Sequence, residues 1–378
     1  MDLSQIPSPS YVIDLGKLRE NLSRLSEIKE RAGCHIVLAL KSFAMWSLFP
    51  LLRKSLDGVC ASGPWEARLG HEHFGGGHLL TYSPAYSEQD VDELLPLTTH
   101  LDFNSLSQWA RFRERVAAAP RSIQVGLRIN PEHSTQDRAL YDPCLPGSRL
   151  GVLAAQLEGQ DLAGITGFHF HTLCQQNADA LESTLAAVEE RFGRWLPQLE
   201  WVNFGGGHHL TRSDYDVERL VRLIGRFRER YRVEVFLEPG EAVVLDAGVL
   251  VSEVLDLTEN AGAIALLNVS ATAHMPDVLE MPYRPTIQGA GEPEQFAYRY
   301  QLASPTCLAG DVIGTYSFPQ PLSVGDRIVF QDMAHYTMVK TTTFNGVKHP
   351  SLGTWEPENQ QFRLVKEFRY QDFRDRLS

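Results

Sequence analysis

Along the first two-thirds of the chain, short apolar runs are separated by longer stretches in which apolar residues recur at helical spacing. The runs fall near residues 36–40, 57–61, 78–82, 99–103, 123–129, 165–170, 199–204 and 233–237, each short enough to read as a buried strand. Between them, Leu181, Leu185, Val188 and Phe192 form one helical face after a possible cap at Asn177. Leu220, Ile224, Phe227 and Tyr231 form another after Ser213 and Asp214. Ahead of the first run, residues 10–14 read as a lone strand. Leu18, Leu22, Leu25 and Ile28 then mark a helix that Gly33 stops. Eight strands alternating with helices over about 220 residues predict an α/β fold, a (β/α)8 barrel over residues 17–245.

After residue 245 the helical period nearly vanishes. Alternating segments at 249–254, 298–302, 327–330 and 362–365, broken by Gly and Pro turns, predict a second, β-rich domain over 246–378. The N-terminal strand within residues 1–16 is expected to join it.

Composition narrows the function classes. A hydrophobic content of 43% with 22% charged residues is that of a globular protein. A net charge of −12 argues against nucleic acid as a partner and favours a cationic substrate by long-range bias. The five cysteines have no CxxC pair, which fits reduced thiols in a cytoplasmic protein. No apolar run reaches the ~20 residues that span a bilayer, so no membrane partner is expected.

Barrel enzymes carry their chemistry on the loops after the strands. The run ending at Leu40 stops abruptly in Lys41. In one reading this amine is partly desolvated and forms a Schiff base with an aldehyde; in the other it simply faces water. Later strand ends bear on the choice: Ser62 and Glu66, Asn104, Arg128, then His169-Phe170-His171, Gly205-Gly206-Gly207 and Glu238-Pro239-Gly240. Gly205 to Gly207 follow the seventh strand, where barrels commonly cradle phosphate on backbone N–H groups, although a plain turn is the alternative. Gly75 to Gly77 precede a strand and read as a turn. His169 and His171 share one strand face. With His208 and His209 they could bind metal, but no carboxylate-rich partner set accompanies them, so no metal is expected. A lysine, a phosphate loop, a ring-stacking histidine and a carboxylate for the pyridine nitrogen together describe a pyridoxal 5'-phosphate site. Lys41 would hold the aldehyde, His171 would lie against the ring, and Glu238 would keep the ring nitrogen protonated.

These residues sit in motifs that resemble the alanine racemase-like, fold type III pyridoxal phosphate decarboxylases. The motifs are LALKSF (38–43), GFHFHTLC (167–174), NFGGGHHL (203–210), EPGEA (238–242), SATAHMPDVLEMPYRP (270–285), SPTCLAGD (304–311) and the HYT and TFNG elements of 335–346. Within that family the likeness is to the branch acting on carboxynorspermidine and carboxyspermidine in polyamine biosynthesis. The resemblance implies catalytic roles for Lys41, His171 and Cys307. It implies cofactor contacts from Lys41, Arg128, His171, Gly205, Gly206, Gly207, Glu238 and Tyr336. It also implies a homodimer in which Cys307 reaches the partner's site to protonate Cα.

Two departures from the wider family are informative. Glu241 stands where ornithine and arginine decarboxylases carry a phosphate-binding arginine. Leu308 stands where amino-acid decarboxylases carry an acid that grips the substrate's distal amine. An apolar residue cannot hold an ammonium, which disfavours ornithine, lysine and diaminopimelate and leaves a longer carboxytriamine. Its amines would be gripped by Asp277, Glu280 or Asp311, unless these acids form structural ion pairs. Arg149, in Ser148-Arg149-Leu150-Gly151, matches a basic residue near the site in relatives. The other readings are a decarboxylase of diaminopimelate, ornithine or arginine, and a catalytically silent binding protein.

Overall fold

The apolar runs close on one another. In the computed structural model, which describes residues 1–378, β1 (Ser10–Asp14) precedes eight parallel strands. These are β2 (His35–Ala39), β3 (Gly58–Ala61), β4 (His78–Tyr82), β5 (His100–Phe103), β6 (Gln124–Arg128), β7 (Gly167–His169), β8 (Trp201–Asn203) and β9 (Glu234–Leu237). They pair in chain order, and β2 pairs with β9 to complete a closed barrel. Every expected run overlaps its strand. Inside, Val37, Ala39, Cys60, Leu80, Trp201 and Phe236 form a buried cluster. Trp201 needs the glycines of its neighbours: a Cβ on Gly167 would lie 2.0 Å from its Cε2, and one on Gly126 2.5 Å from its Cη2.

The helices follow from their apolar faces and caps. Leu18, Leu22, Leu25 and Ile28 are buried along the helix Leu15–Ala32, and Gly33 ends it with φ +61° and an N–H that donates to Lys29 O. Asn177 caps Ala178–Phe192. The helix Val217–Tyr231 is capped by Asp216, which accepts from Arg219 N, rather than by Ser213 or Asp214. Asp214 is drawn instead to Arg212, its Oδ1 lying 2.5 Å from the guanidinium Nε.

Chain contacts divide the molecule into Asn21–Val243, which holds the barrel, and a unit of Met1–Glu20 with Val244–Ser378. The second unit is an eight-stranded mixed sheet. Its later strands are β10 (Gly248–Glu259), β11 (Ala263–Leu267), β12 (Tyr298–Ala303), β13 (Val312–Phe318), β14 (Arg327–Gln331), β15 (Ser351–Glu356) and β16 (Gln361–Lys366). β1 lies inside this sheet, antiparallel to β10 and parallel to β15. Three of its strands have no clear signature in the sequence. β11 is uniformly apolar rather than alternating, and β13 and β15 are interrupted by Gly314 and Gly353. Gly353 is required because a Cβ there would meet the Phe362 ring at 2.2 Å. No helix is long and apolar enough to cross a membrane.

Candidate active site

The polar residues at the carboxyl ends of the barrel strands are held by a ladder that continues past the strands. Phe170 N donates to Asn203 O (2.9 Å), Glu238 N to Gly205 O (2.8 Å), and Ala39 N to Pro239 O (3.1 Å). The backbone therefore sets Lys41, His171, Gly205 and Glu238 side by side. Lys41 is exposed at this mouth, so its amine is accessible. It acts electrostatically on Cys60, His169 and His171, which places it within reach of the others.

His171 keeps a partly accessible edge and accepts from Gly206 N through Nδ1 (2.8 Å). That bond puts the proton of the neutral ring on Nε2. Burial, reinforced by the cations of Lys41 and Arg128, pushes its pKa well below the ordinary histidine value, so the ring is neutral. Arg128, the last residue of β6, is buried, donates to His171 O (3.3 Å) and lies over the Tyr82 ring at 4.6 Å.

In the glycine loop, Gly205 and Gly207 have φ of +72° and +82°. None of the three glycines admits a Cβ. Built on Gly205, Gly206 and Gly207, it would meet Phe170 O at 2.5 Å, Glu238 O at 2.4 Å and Leu173 O at 1.9 Å. Two of the loop N–H groups are already used: Gly205 N donates to Asn203 Oδ1 (2.8 Å) and Gly206 N to His171 Nδ1. Nearby, Glu241 accepts from Gln175 Nε2 (2.8 Å) and lies 3.3 Å from His209 Nε2.

Glu238 is buried and accepts from Asn203 Nδ2 through Oε1 (2.7 Å). Its Oε2 lies 3.7 Å from His169 Nε2, and His169 Nδ1 lies 3.0 Å from Asp102 Oδ2. Asp102, Asn203 and Tyr82 are absent from the sequence-based candidates. Asp102 had a signal, being an acid in the middle of an apolar run between Leu101 and Phe103.

The remaining candidates lie in the sheet-rich unit. Cys307 is exposed, and its Sγ and backbone N both lie within hydrogen-bond reach of Asn345 Oδ1 (3.2 and 3.3 Å). Leu308 beside it is also exposed. Tyr336 adopts a positive φ of +49°. Asp277 and Glu280 converge on the Lys340 ammonium, Glu280 at 2.5 Å. Asp311 is 3% exposed, and its carboxylate accepts from Ser270 Oγ (2.6 Å), Thr272 N (3.0 Å) and Thr306 Oγ1, which ties it to the cysteine loop. Arg149 is exposed and lines a cavity of about 370 Å³ with Asn104, Ser148 and Gln156. No group of three or more His, Cys, Asp or Glu side chains is arranged to hold a metal.

The donor set fits pyridoxal phosphate. It offers an accessible amine, a neutral imidazole with a free edge, a loop closed to side chains and a fixed buried carboxylate. Comparison with known proteins agrees. Residues 10–334 match the family described as pyridoxal-dependent decarboxylase, C-terminal sheet domain. A carboxyaminopropylagmatine decarboxylase from Synechocystis sp. is 47% identical over 99% of this chain and 96% of its own. A carboxynorspermidine/carboxyspermidine decarboxylase from Campylobacter jejuni is 41% identical over 99% of both. The crystal structure of carboxynorspermidine decarboxylase from Campylobacter jejuni, complexed with norspermidine, superposes with a TM-score of 0.91. It is 40% identical and covers 98% of this chain and 100% of that one.

Proposed function

We propose that this chain, which belongs to the pyridoxal-dependent decarboxylase family, removes the α-carboxylate of carboxynorspermidine or carboxyspermidine to give norspermidine or spermidine. The observation that carries this reading is the full-length match to relatives of that activity, together with the alignment of Lys41, His171 and Glu238 at one barrel mouth. Bound there, pyridoxal phosphate supplies an aldehyde that condenses with amines and an electron-poor ring that takes up an electron pair.

Each residue has a separate task. Lys41 holds the cofactor. His171 covers one ring face, its edge fixed by Gly206. Glu238, fixed by Asn203, keeps a proton on the ring nitrogen. Arg128 pins the His171 backbone. With the N–H groups of Gly205 and Gly206 committed, Gly207 is the loop residue assigned to phosphate. From the sheet-rich unit, Tyr336 is assigned to phosphate and Cys307 to the proton that replaces CO2 on Cα, delivered into the partner subunit's site of a homodimer. The Cα–COO⁻ bond breaks, CO2 leaves, and one C–H bond forms with that proton. Asp277 and Glu280 are assigned to the substrate amines, which would displace the Lys340 ammonium that both acids pair with in the structure. Five free cysteines support a cytoplasmic location.

A second reading has a specific observation behind it, the 47% identity to the carboxyaminopropylagmatine enzyme. The three compounds share the carboxyaminopropyl head and internal amine and differ at the far end, where carboxyaminopropylagmatine carries a guanidinium. CO2 release from all three, with diaminopimelate, ornithine and arginine as competitors and Lys41→Ala as control, tests both readings. The first predicts that kcat/KM for the carboxytriamines exceeds that for the guanidino compound, and the second predicts the reverse. Activity confined to the amino acids would contradict both.

A further inference from the structure

We infer that Asp102 and His169 form a buried proton line beneath Glu238 that presents an N–H to its carboxylate and so holds it as an acceptor. They act as positioning residues for the reaction. The inference rests on the reading of Glu238 as the partner of the cofactor's ring nitrogen.

The geometry is that of acid, imidazole and acid in series. His169 is 2% exposed and Asp102 1%. Neither ring nitrogen of His169 makes a hydrogen bond in the structure. A buried imidazole without partners is costly, and the polar atoms in reach are Asp102 Oδ2 at 3.0 Å from Nδ1 and Glu238 Oε2 at 3.7 Å from Nε2. The second distance is long for a hydrogen bond, as such contacts often are before ligand binds. The charged groups bearing on His169 are Asp102, Glu238, Arg128 and Lys41, and Tyr82 presses against it edge-on at 5.2 Å.

Proton placement leads to one outcome. Burial pushes Asp102 up to about 8, against the Arg128 guanidinium, and pushes His169 down to about 4, against Glu238. On this reading the shared proton is held by Asp102, facing Nδ1, and the neutral ring carries its hydrogen on Nε2, facing Glu238. Moving that proton to Nδ1 leaves the Nε2–H in place. In both cases His169 presents an N–H toward Glu238, which accepts from Asn203. Its remaining lone pairs stay available to a cationic N–H.

The test uses purified full-length protein loaded with pyridoxal phosphate, reading cofactor affinity, the pH dependence of the cofactor absorbance and the kcat–pH profile. In His169→Phe the ring stays and the N–H is lost. We expect the acid limb of kcat and of the absorbance to move about one unit to higher pH. We also expect kcat to fall about 10- to 100-fold, with KM nearly unchanged. His169→Gln, which retains an amide N–H, should recover part of both. Asp102→Leu should shift the same limb by less, and it carries the test if His169→Phe does not fold. Glu238→Gln separates the two layers. Impairment in Glu238→Gln with unchanged profiles in folded His169 and Asp102 variants overturns the proton line alone. Unchanged absorbance and kcat in Glu238→Gln overturns the reading of Glu238 and the inference with it.

Discussion

Lys41 and Glu238 do different work at one barrel mouth, and their substitution should fail in different ways. Lys41→Ala removes the amine proposed to hold the cofactor, so both the absorbance band and CO2 release should disappear, with kcat down by at least about 10³-fold. Glu238→Gln keeps shape and volume but withdraws the negative charge proposed to stabilise a protonated ring. The cofactor should still bind while kcat falls about 10²–10³-fold, checked by absorbance and steady-state kinetics on the same sample. Lys41 was legible in the sequence because a single amine ends an apolar run, and Glu238 because Glu-Pro-Gly closes the last barrel strand. Asp102 showed only as an acid within an apolar run, with no visible partner until β5 and β7 are set on either side of β6. The pairing of Asp277 and Glu280 with Lys340 was hidden for the same reason, with about 60 residues intervening.

At the scale of elements, short strands and glycines chosen for their neighbours determine what the barrel tolerates. Gly167→Ala would drive a methyl group into the Trp201 ring. It should destabilise the protein by about 1–3 kcal/mol in chemical denaturation. At the amino-terminal end of the strands, Asp57 ties elements together. It lies 2.9 Å from Lys29 Nζ and accepts from Ile36 N at 3.0 Å. Burial raises its pKa, but the bonds from His35, Lys29 and Ile36 outweigh burial and hold it at about 2. Its folded value lies below the ordinary 3.8, so its contribution is fully present above that pH and is lost as pH falls toward about 2. Asp57→Asn should cost about 1–2 kcal/mol at neutral pH, and the gap from wild type should narrow below about pH 4. The barrel strands were legible because buried parallel strands are short, mostly apolar runs that recur between helical stretches. β11, β13 and β15 were not, because their pairing across the sheet, rather than their own alternation, makes them strands.

For the whole molecule, the proposed role of Cys307 calls for more than one chain. If Cys307 serves the partner subunit's site, Lys41→Ala and Cys307→Ala proteins should each be inactive alone. Mixed and allowed to exchange subunits, they should recover about a quarter of wild-type activity, since half the dimers are mixed and each holds one intact site. No recovery would place Cys307 in its own chain's site or outside the chemistry. Substrate choice is also a property at this scale. One methylene separates carboxynorspermidine from carboxyspermidine and is worth only ~1–3 kcal/mol in a pocket, too little to assign from side chains. A guanidinium in place of an ammonium is a larger change, and the panel of substrates resolves it. The reaction itself is a narrower matter: CO2 leaves the carboxyaminopropyl head and a solvent-exchangeable proton takes its place on the same carbon. Turnover of carboxynorspermidine in heavy water, followed by mass spectrometry of the polyamine, measures this directly. The account predicts norspermidine bearing a single carbon-bound deuterium, released in step with CO2. Substrate that is bound but returned intact, or consumed without loss of CO2, would contradict it.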